Sequence, residues 1–145
     1  MPISFRRAEF TDYDFCAQIY FVEMERTIRE LNLNVADHSA KFRGLWVAEE
    51  VRIITLDGAD VGWVQTRTEP DALFLAQIFL EPSFQGRGIG TEVLRRILGE
   101  AGNAGRAVKL GVVKSNRAQR LYRRLGFQVT HEDERKFYMR REPGP

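Results

Sequence analysis

Gln85-Gly86-Arg87-Gly88-Ile89-Gly90-Thr91 decides how this chain is read, because it stands between an apolar strand pattern at 73–80 and an amphipathic helix pattern at about 91–101. A glycine-rich turn from strand to helix exposes main-chain N–H groups at a helix N-terminus, where they can cradle a phosphate. Glycine permits φ above zero there and lets an anion approach without a Cβ in the way. Arg87 adds a cationic fork for the same anion. The dinucleotide spacing G-x-G-x-x-G fails: counting from Gly86 puts Thr91, and from Gly88 puts Val93, where the third glycine belongs. A Walker turn fails as well, since no Gly-Lys-Ser/Thr follows. What remains is a pyrophosphate-binding turn of another kind, set against a plain connection whose glycines serve only the bend.

Upstream, residues 3–8 alternate apolar and polar, the period of a half-buried strand. Thr11 as N-cap, with Asp12 and Asp14 in the first turn, predicts a helix over about 12–31 with Phe15, Ile19, Val22 and Ile28 on its apolar side. A shorter helix is expected at about 37–45. Residues 51–56 and 61–68 are rich in β-branched side chains and are joined by Asp57-Gly58-Ala59-Asp60, which predicts a hairpin. The nearly all-apolar run 72–80 reads as a central strand buried on both faces, ended by Glu81-Pro82.

Downstream, the helix after the glycine turn places Val93, Leu94, Ile97, Leu98 and Ala101 on one face, and Gly102 and Gly105 bracket its end. Residues 107–113 predict a strand. Ser115-Asn116 opens a further helix with the stripe Ala118, Leu121, Tyr122 and Leu125, closed by Gly126. Residues 128–130 and 136–140 predict two strands around the polar turn 131–134. The order β-α-α-β-β-β-α-β-α-β-β describes an α/β (α+β) fold, one mixed sheet with helices on both faces.

At 145 residues the chain fits a single domain, residues 1–145, able to bury a core. Hydrophobic residues at 43% and charged residues at 29% are ordinary globular proportions. A net charge of +2, from 22 basic and 20 acidic residues, gives no global field that calls for a polyanion, so anion binding must be local. The single cysteine, Cys16, excludes an internal disulfide framework and a multi-cysteine zinc site, and reads as a small core hydrophobe in a reducing compartment. No metal is expected. Charges at Arg6, Arg7, Glu9, Asp12 and Asp14 interrupt any signal-peptide core, and no apolar run of about 18 residues exists to span a bilayer. The chain therefore reads as soluble and cytoplasmic, with no membrane partner.

The glycine phrase and a second one, Asn116-Arg117-Ala118-Gln119-Arg120-Leu121-Tyr122-Arg123-Arg124-Leu125-Gly126-Phe127, stand about 30 residues apart. Together they resemble the GNAT superfamily of N-acetyltransferases: the first is similar to its signature Q/R-x-x-G-x-G/A, the second to its helix N-x-A-x-x-L-Y-x-K/R-x-G-F. The resemblance is sharp over residues 73–127. It implies a mostly antiparallel sheet whose central strands splay, and acetyl-CoA as cosubstrate. Gln85, Gly86, Arg87, Gly88, Ile89, Gly90 and Thr91 would wrap its pyrophosphate. Ile78, Phe79 and Leu80 would hold the pantetheine arm through main-chain groups left unpaired at the splay. A backbone N–H near Leu80 would polarise the thioester carbonyl.

The same resemblance makes Asn116 a contact of the cofactor arm, although Asn116-x-x-Gln119 also reads as a capping box. Tyr122 corresponds to the general acid that protonates the departing thiolate, a task a phenol suits, since a thiol pKa near 8.5 lies below a phenol pKa near 10. Its place on an apolar stripe equally fits a core residue. Aminolysis also needs the acceptor amine deprotonated. Relatives often carry a carboxylate on the strand before the turn, but Gln77 is its only polar side chain here, and Glu81 at its end reads as well as a turn residue.

The base is thus unassigned, a water chain or a residue of the first helices being the alternatives. Tyr20, Glu23 and Glu25 of the first helix, with Tyr138, lie where acceptor sites often form in the family, although a solvated helix face explains Glu23 and Glu25 equally well. His38 and His131 read as surface residues rather than base or metal ligand, and Trp46, Trp63 and Phe79 as core. Arg117, Arg120, Arg123 and Arg124 make the last helix basic, but the near-neutral total charge argues against a nucleic-acid partner.

The expected activity is direct acetyl transfer to a primary amine of an acceptor that the residues do not specify. A non-catalytic acyl-CoA-binding or sensing module is the alternative. A homodimer is an expectation of the resemblance, not of the residues.

Overall fold

The computed structural model describes residues 2–144. Seven strands, β1 (Ile3–Arg7), β2 (Val51–Leu56), β3 (Ala59–Thr68), β4 (Ala72–Leu80), β5 (Ala107–Val113), β6 (Gln128–Glu132) and β7 (Lys136–Arg141), alternate with four helices. The helices are α1 (Tyr13–Glu30), α2 (Val35–Leu45), α3 (Ile89–Asn103) and α4 (Ala118–Arg124). The strands order as β1-β2-β3-β4-β5-β7-β6 in one open sheet flanked by helices. Antiparallel pairing dominates; β4 with β5 is parallel. The element order is the one the sequence patterns predict. The chain divides into two compact units: residues up to Gln65 with Gln77–Gly90, and Thr66–Ala76 with the residues from Thr91 onward.

In the first unit, α1 and α2 bury Cys16, Ile19, Tyr20, Phe42 and Trp46 in one cluster with Val51, Ile53 and Trp63 of the strands. Val22 is exposed instead, since it falls outside the arc of the helix that Cys16, Ile19 and Tyr20 define. Thr11 is not the N-cap. The chain first makes a 3-10 turn, Phe10–Asp12, in which the Asp12 carboxylate accepts from the Glu9 N–H at 2.8 Å, and α1 continues from it uninterrupted. Asp12 is held there by Arg6, which also pairs with Asp60, and this guanidinium keeps the Asp12 carboxyl below the usual range. The hairpin loop is two residues rather than four. Asp57 and Gly58 both take positive φ, 52° and 84°, the turn that matches strand twist, so Ala59 and Asp60 join β3.

Gly62 of β3 packs directly against the end of β4. A Cβ there would lie 2.3 Å from the Phe79 carbonyl oxygen and 2.8 Å from Leu80 Cδ2. Because the obstacle is backbone, Gly62→Ala is expected to cost about 3 kcal/mol, the upper part of the overpacking range, measured by chemical denaturation. A loss below about 1 kcal/mol, within the range of a tolerated volume change, would show that β4 yields at this point.

In the second unit, β5, β7 and β6 form an antiparallel ladder, and the apolar face of α3 (Val93, Leu94, Ile97, Leu98, Ala101) is buried as its periodicity predicts. Gly105 at φ 67° ends α3 in a Schellman arrangement, Arg106 N–H donating to Ala101 O at 2.8 Å. The parallel register of β4 with β5 runs from Ala72↔Ala107 to Phe74↔Lys109 and goes no further within this unit, although β4 continues through Leu75 and Ala76 and β5 through Val113. Correspondingly β4 is not buried on both faces: only Ala72 and Leu75 are buried, and the rest of the strand is half-buried. An apolar run marks a strand next to other groups, and here part of its surface stays open. His131 and Glu132 belong to β6 rather than to the turn that follows it.

Candidate functional site

In the first unit, β4 ends at Leu80, and Glu81 N–H donates to Val61 O at 2.9 Å. Pro82–Phe84 then makes a single 3-10 turn, as a proline that cannot extend the ladder allows. Gln85 is extended, and Gly86 and Gly88 take the left-handed φ values 74° and 81° that side chains with a Cβ rarely adopt. Helix α3 begins at Ile89, two residues earlier than its periodicity suggests, so Gly90 and Thr91 lie in its first turn. The first-turn N–H groups of a helix have no intrahelical acceptor. Among the described residues, the main-chain N–H groups of Gly86, Arg87 and Gly88 also donate no hydrogen bond.

An exposed run of unpartnered donors, open because a Cβ at Gly86 would meet nothing within 4 Å, fits a bound phosphate group. The Ile89 side chain is buried, which leaves only its main chain facing the turn. The Gln85 amide donates to Leu80 O at 3.1 Å and to the Glu23 carboxylate, tying the turn to the end of β4 and to α1. Arg87 is exposed, with its guanidinium over the Phe84 ring at 5.2 Å.

Ile78, Phe79 and Leu80 are half-buried. Phe79 packs its ring on Trp63 and edge-on against Tyr20, at 5.5 Å and 5.3 Å between centroids. Gln77 and Glu81 are half-buried as well. Tyr20 is buried, and burial pushes its phenol up to about 12. Its hydroxyl meets His38 Nε2 at 2.6 Å. His38 is therefore not an isolated surface residue; desolvation, with Lys41 nearby, holds its imidazole below the ordinary histidine value. Eighteen positions separate the two along the chain, so no local motif announces the pair.

Cys16, fully buried, has its thiol pushed up to about 12 by burial. It is expected to resist iodoacetamide in the folded protein at pH 8 and to react at once in guanidinium, as read by mass spectrometry. Rapid labelling of the folded state would mean that α1 opens locally.

In the second unit, α4 begins at Ala118 rather than at Ser115-Asn116. Asn116 forms no capping box with Gln119. Its Oδ1 accepts from Ala118 N–H at 2.9 Å, while the Gln119 amide turns back to donate to Lys114 O. The exposed Asn116 keeps its amide donors for another partner. Tyr122 is buried, and among the described residues no hydrogen bond engages its hydroxyl. Burial pushes its phenol up to about 12.

Gly126, at φ 97°, closes α4 as expected: Phe127 N–H donates to Tyr122 O at 3.0 Å, and the Phe127 ring packs on that of Tyr122 at 5.7 Å. Position 122 is thus set by the same Gly-Phe pair that ends the helix. Arg117, Arg120, Arg123 and Arg124 are exposed, and Arg123 lies over Phe137 at 5.5 Å. His131 is stacked on Tyr138 at 4.5 Å, and the Tyr138 hydroxyl donates to Asp133. Among the described residues no three His, Cys, Asp or Glu side chains gather to hold a metal ion, and no helix is long and apolar enough to cross a membrane.

Residues 41–129, which carry both the glycine turn and Asn116 with Tyr122, match the acetyltransferase (GNAT) domain family, and the chain belongs to it. It is 35% identical over 71 residues to an uncharacterized N-acetyltransferase of Methanocaldococcus jannaschii, a stretch that covers 48% of this chain and 31% of that protein. The fold is similar to that of the PaiA N-acetyltransferase from Thermoplasma acidophilum, solved in complex with coenzyme A, with TM-score 0.78 and 16% identity over 98% of this chain and 99% of that one. An acetyltransferase from Thermus thermophilus is similar with TM-score 0.76 and 16% identity, covering 98% and 97% of the two chains. At these identities the solved structures share the fold.

Proposed function

We propose that this chain is a single-domain, acetyl-CoA-dependent N-acetyltransferase that transfers an acetyl group directly to a primary amine. The observation that carries the reading is the left-handed pair Gly86 and Gly88 leading into α3, with its main-chain donors unpartnered, inside the segment that matches the family. Acetyl-CoA supplies an activated acetyl thioester. Gly86, Arg87, Gly88, Ile89, Gly90 and Thr91 bind the pyrophosphate through N–H groups and the helix end, with Gln85 holding the turn in place. Main-chain groups of Ile78, Phe79 and Leu80 orient the pantetheine arm, and Asn116 offers it an amide. Tyr122 holds a phenolic proton for the departing thiolate, and its elevated pKa keeps that proton in place throughout the physiological range. The reading extends to a cytoplasmic location, which the single free thiol supports, and to a homodimer, which the family likeness alone supports.

The alternative is an acyl-CoA sensor without turnover, favoured by Gln77, an amide that cannot take a proton where relatives often carry a carboxylate. Incubation with acetyl-CoA and a panel of small amines, amino acids and peptides separates the two, followed by thiol release and product mass. Amine-dependent release of CoA is the expected result; binding without release under every condition would establish the sensor.

A further inference from the structure

We propose that Tyr20 and His38 form a proton relay that deprotonates the acceptor amine, supplying the base that β4 lacks. The inference rests on the N-acetyltransferase reading above. All the residues that carry it lie in the first unit. The Tyr20 hydroxyl and His38 Nε2 are 2.6 Å apart, and the two rings stack at 5.7 Å and 16°. In the relay Tyr20 O–H donates to Nε2, which puts the imidazole's own proton on Nδ1.

The surroundings hold this geometry. The Tyr20 ring is stacked on Phe42 at 4.2 Å and meets Phe21 and Phe79 edge-on. Phe79 belongs to the strand end proposed for the pantetheine arm. One turn along α1, Glu23 accepts from the Gln85 amide, which also donates to Leu80 O, so α1 is tied to that strand end beside Tyr20. A purely structural tyrosine in such a cluster needs only burial. This one directs its hydroxyl at an imidazole that is itself half-exposed and can return a proton to water.

The step balances without a co-reactant. The acceptor ammonium gives H⁺ to the Tyr20 oxygen as the Tyr20 proton moves to His38 Nε2, and the imidazolium so formed releases its Nδ1 proton to water. The neutral amine is then free to attack, and His38, left as the Nε2–H tautomer, regains the Nδ1–H form by proton exchange with water before the next turnover. His38 acts through Tyr20 and is a positioning residue; the titratable groups that face it are Tyr20 from α1 and Lys41 from its own helix.

Two variants, Tyr20→Phe and His38→Gln, test the relay with three readouts. Acetyl-CoA binding by calorimetry is expected to match the wild type in both; absence of binding in the wild type would overturn the functional reading, and the relay with it. Nitrogen-15 NMR of the imidazole, in protein without ligand, is expected to show the Nδ1–H form and a titration that moves upward in Tyr20→Phe; an Nε2–H form would overturn the relay alone. Turnover with 2-phenylethylamine, spermidine and an alanyl peptide is expected to fall about 100-fold at pH 7 in each variant, the scale of a positioned base. That deficit should shrink as pH approaches the amine's own pKa near about 10, because the amine then arrives neutral. The double variant should be no slower than either single one. Unchanged turnover and pH profile in the variants, or acetyl-CoA binding with no transfer to any of these amines, would contradict the relay.

Discussion

Tyr122→Phe is expected to lower kcat about 100-fold or more, the scale of a positioned general acid, while acetyl-CoA affinity and folding stability stay close to those of the parent. The separation follows from the geometry. The ring packs on Phe127 across the Schellman end of α4 and remains in the variant, so the helix end is intact. The hydroxyl makes no hydrogen bond among the described residues, so its loss leaves no partner orphaned. What disappears is the proton. With its phenol near 12, Tyr122 stays protonated as pH rises through the alkaline range in which amines become nucleophilic, so turnover should show no falling limb from this group up to about pH 9. Measurement of kcat against pH with one accepted amine checks both statements. A variant with parental kcat would return Tyr122 to the core as a packing residue.

Much of this was legible before any coordinates, and the reasons are local. Gly58, Gly105 and Gly126 mark turns because positive φ is needed within a residue or two of each, and all three adopt it. The apolar face of α3 was readable because helical period and burial coincide there. Failures came where a distant partner decides the outcome. Thr11 resembles a cap, but the Asp12 carboxylate reaches back to Glu9 while Arg6 of β1 holds it.

The run 72–80 looks like a strand covered on both faces, yet its register with β5 stops within the second unit after Phe74. His38 looks solvent-bound because its partner, Tyr20, lies on another helix. At the candidate site, the glycine turn and the Tyr-x-x-x-Gly-Phe end of α4 could be read as motifs since each is set by its own backbone. The clamp that the Gln85 amide makes on Leu80 and Glu23 reaches a residue of α1 far along the chain, which only the fold reveals.

The glycine turn carries the central claim. Gly88→Trp puts a Cβ at φ 81° and an indole into the cradle, so it is expected to destabilise the free protein by about 1–2 kcal/mol from backbone strain and to abolish binding outright. Gly58→Trp, at φ 84° in the β2–β3 turn, imposes equal strain elsewhere and serves as the matched comparison. Thermal unfolding with and without acetyl-CoA at about 100 times its dissociation constant should raise the parent by several degrees, the equivalent of about 2.7 kcal/mol. The account predicts that this shift persists in Gly58→Trp and vanishes in Gly88→Trp, each judged against its own ligand-free protein. A shift that survives in Gly88→Trp, or is absent from the parent, would contradict it.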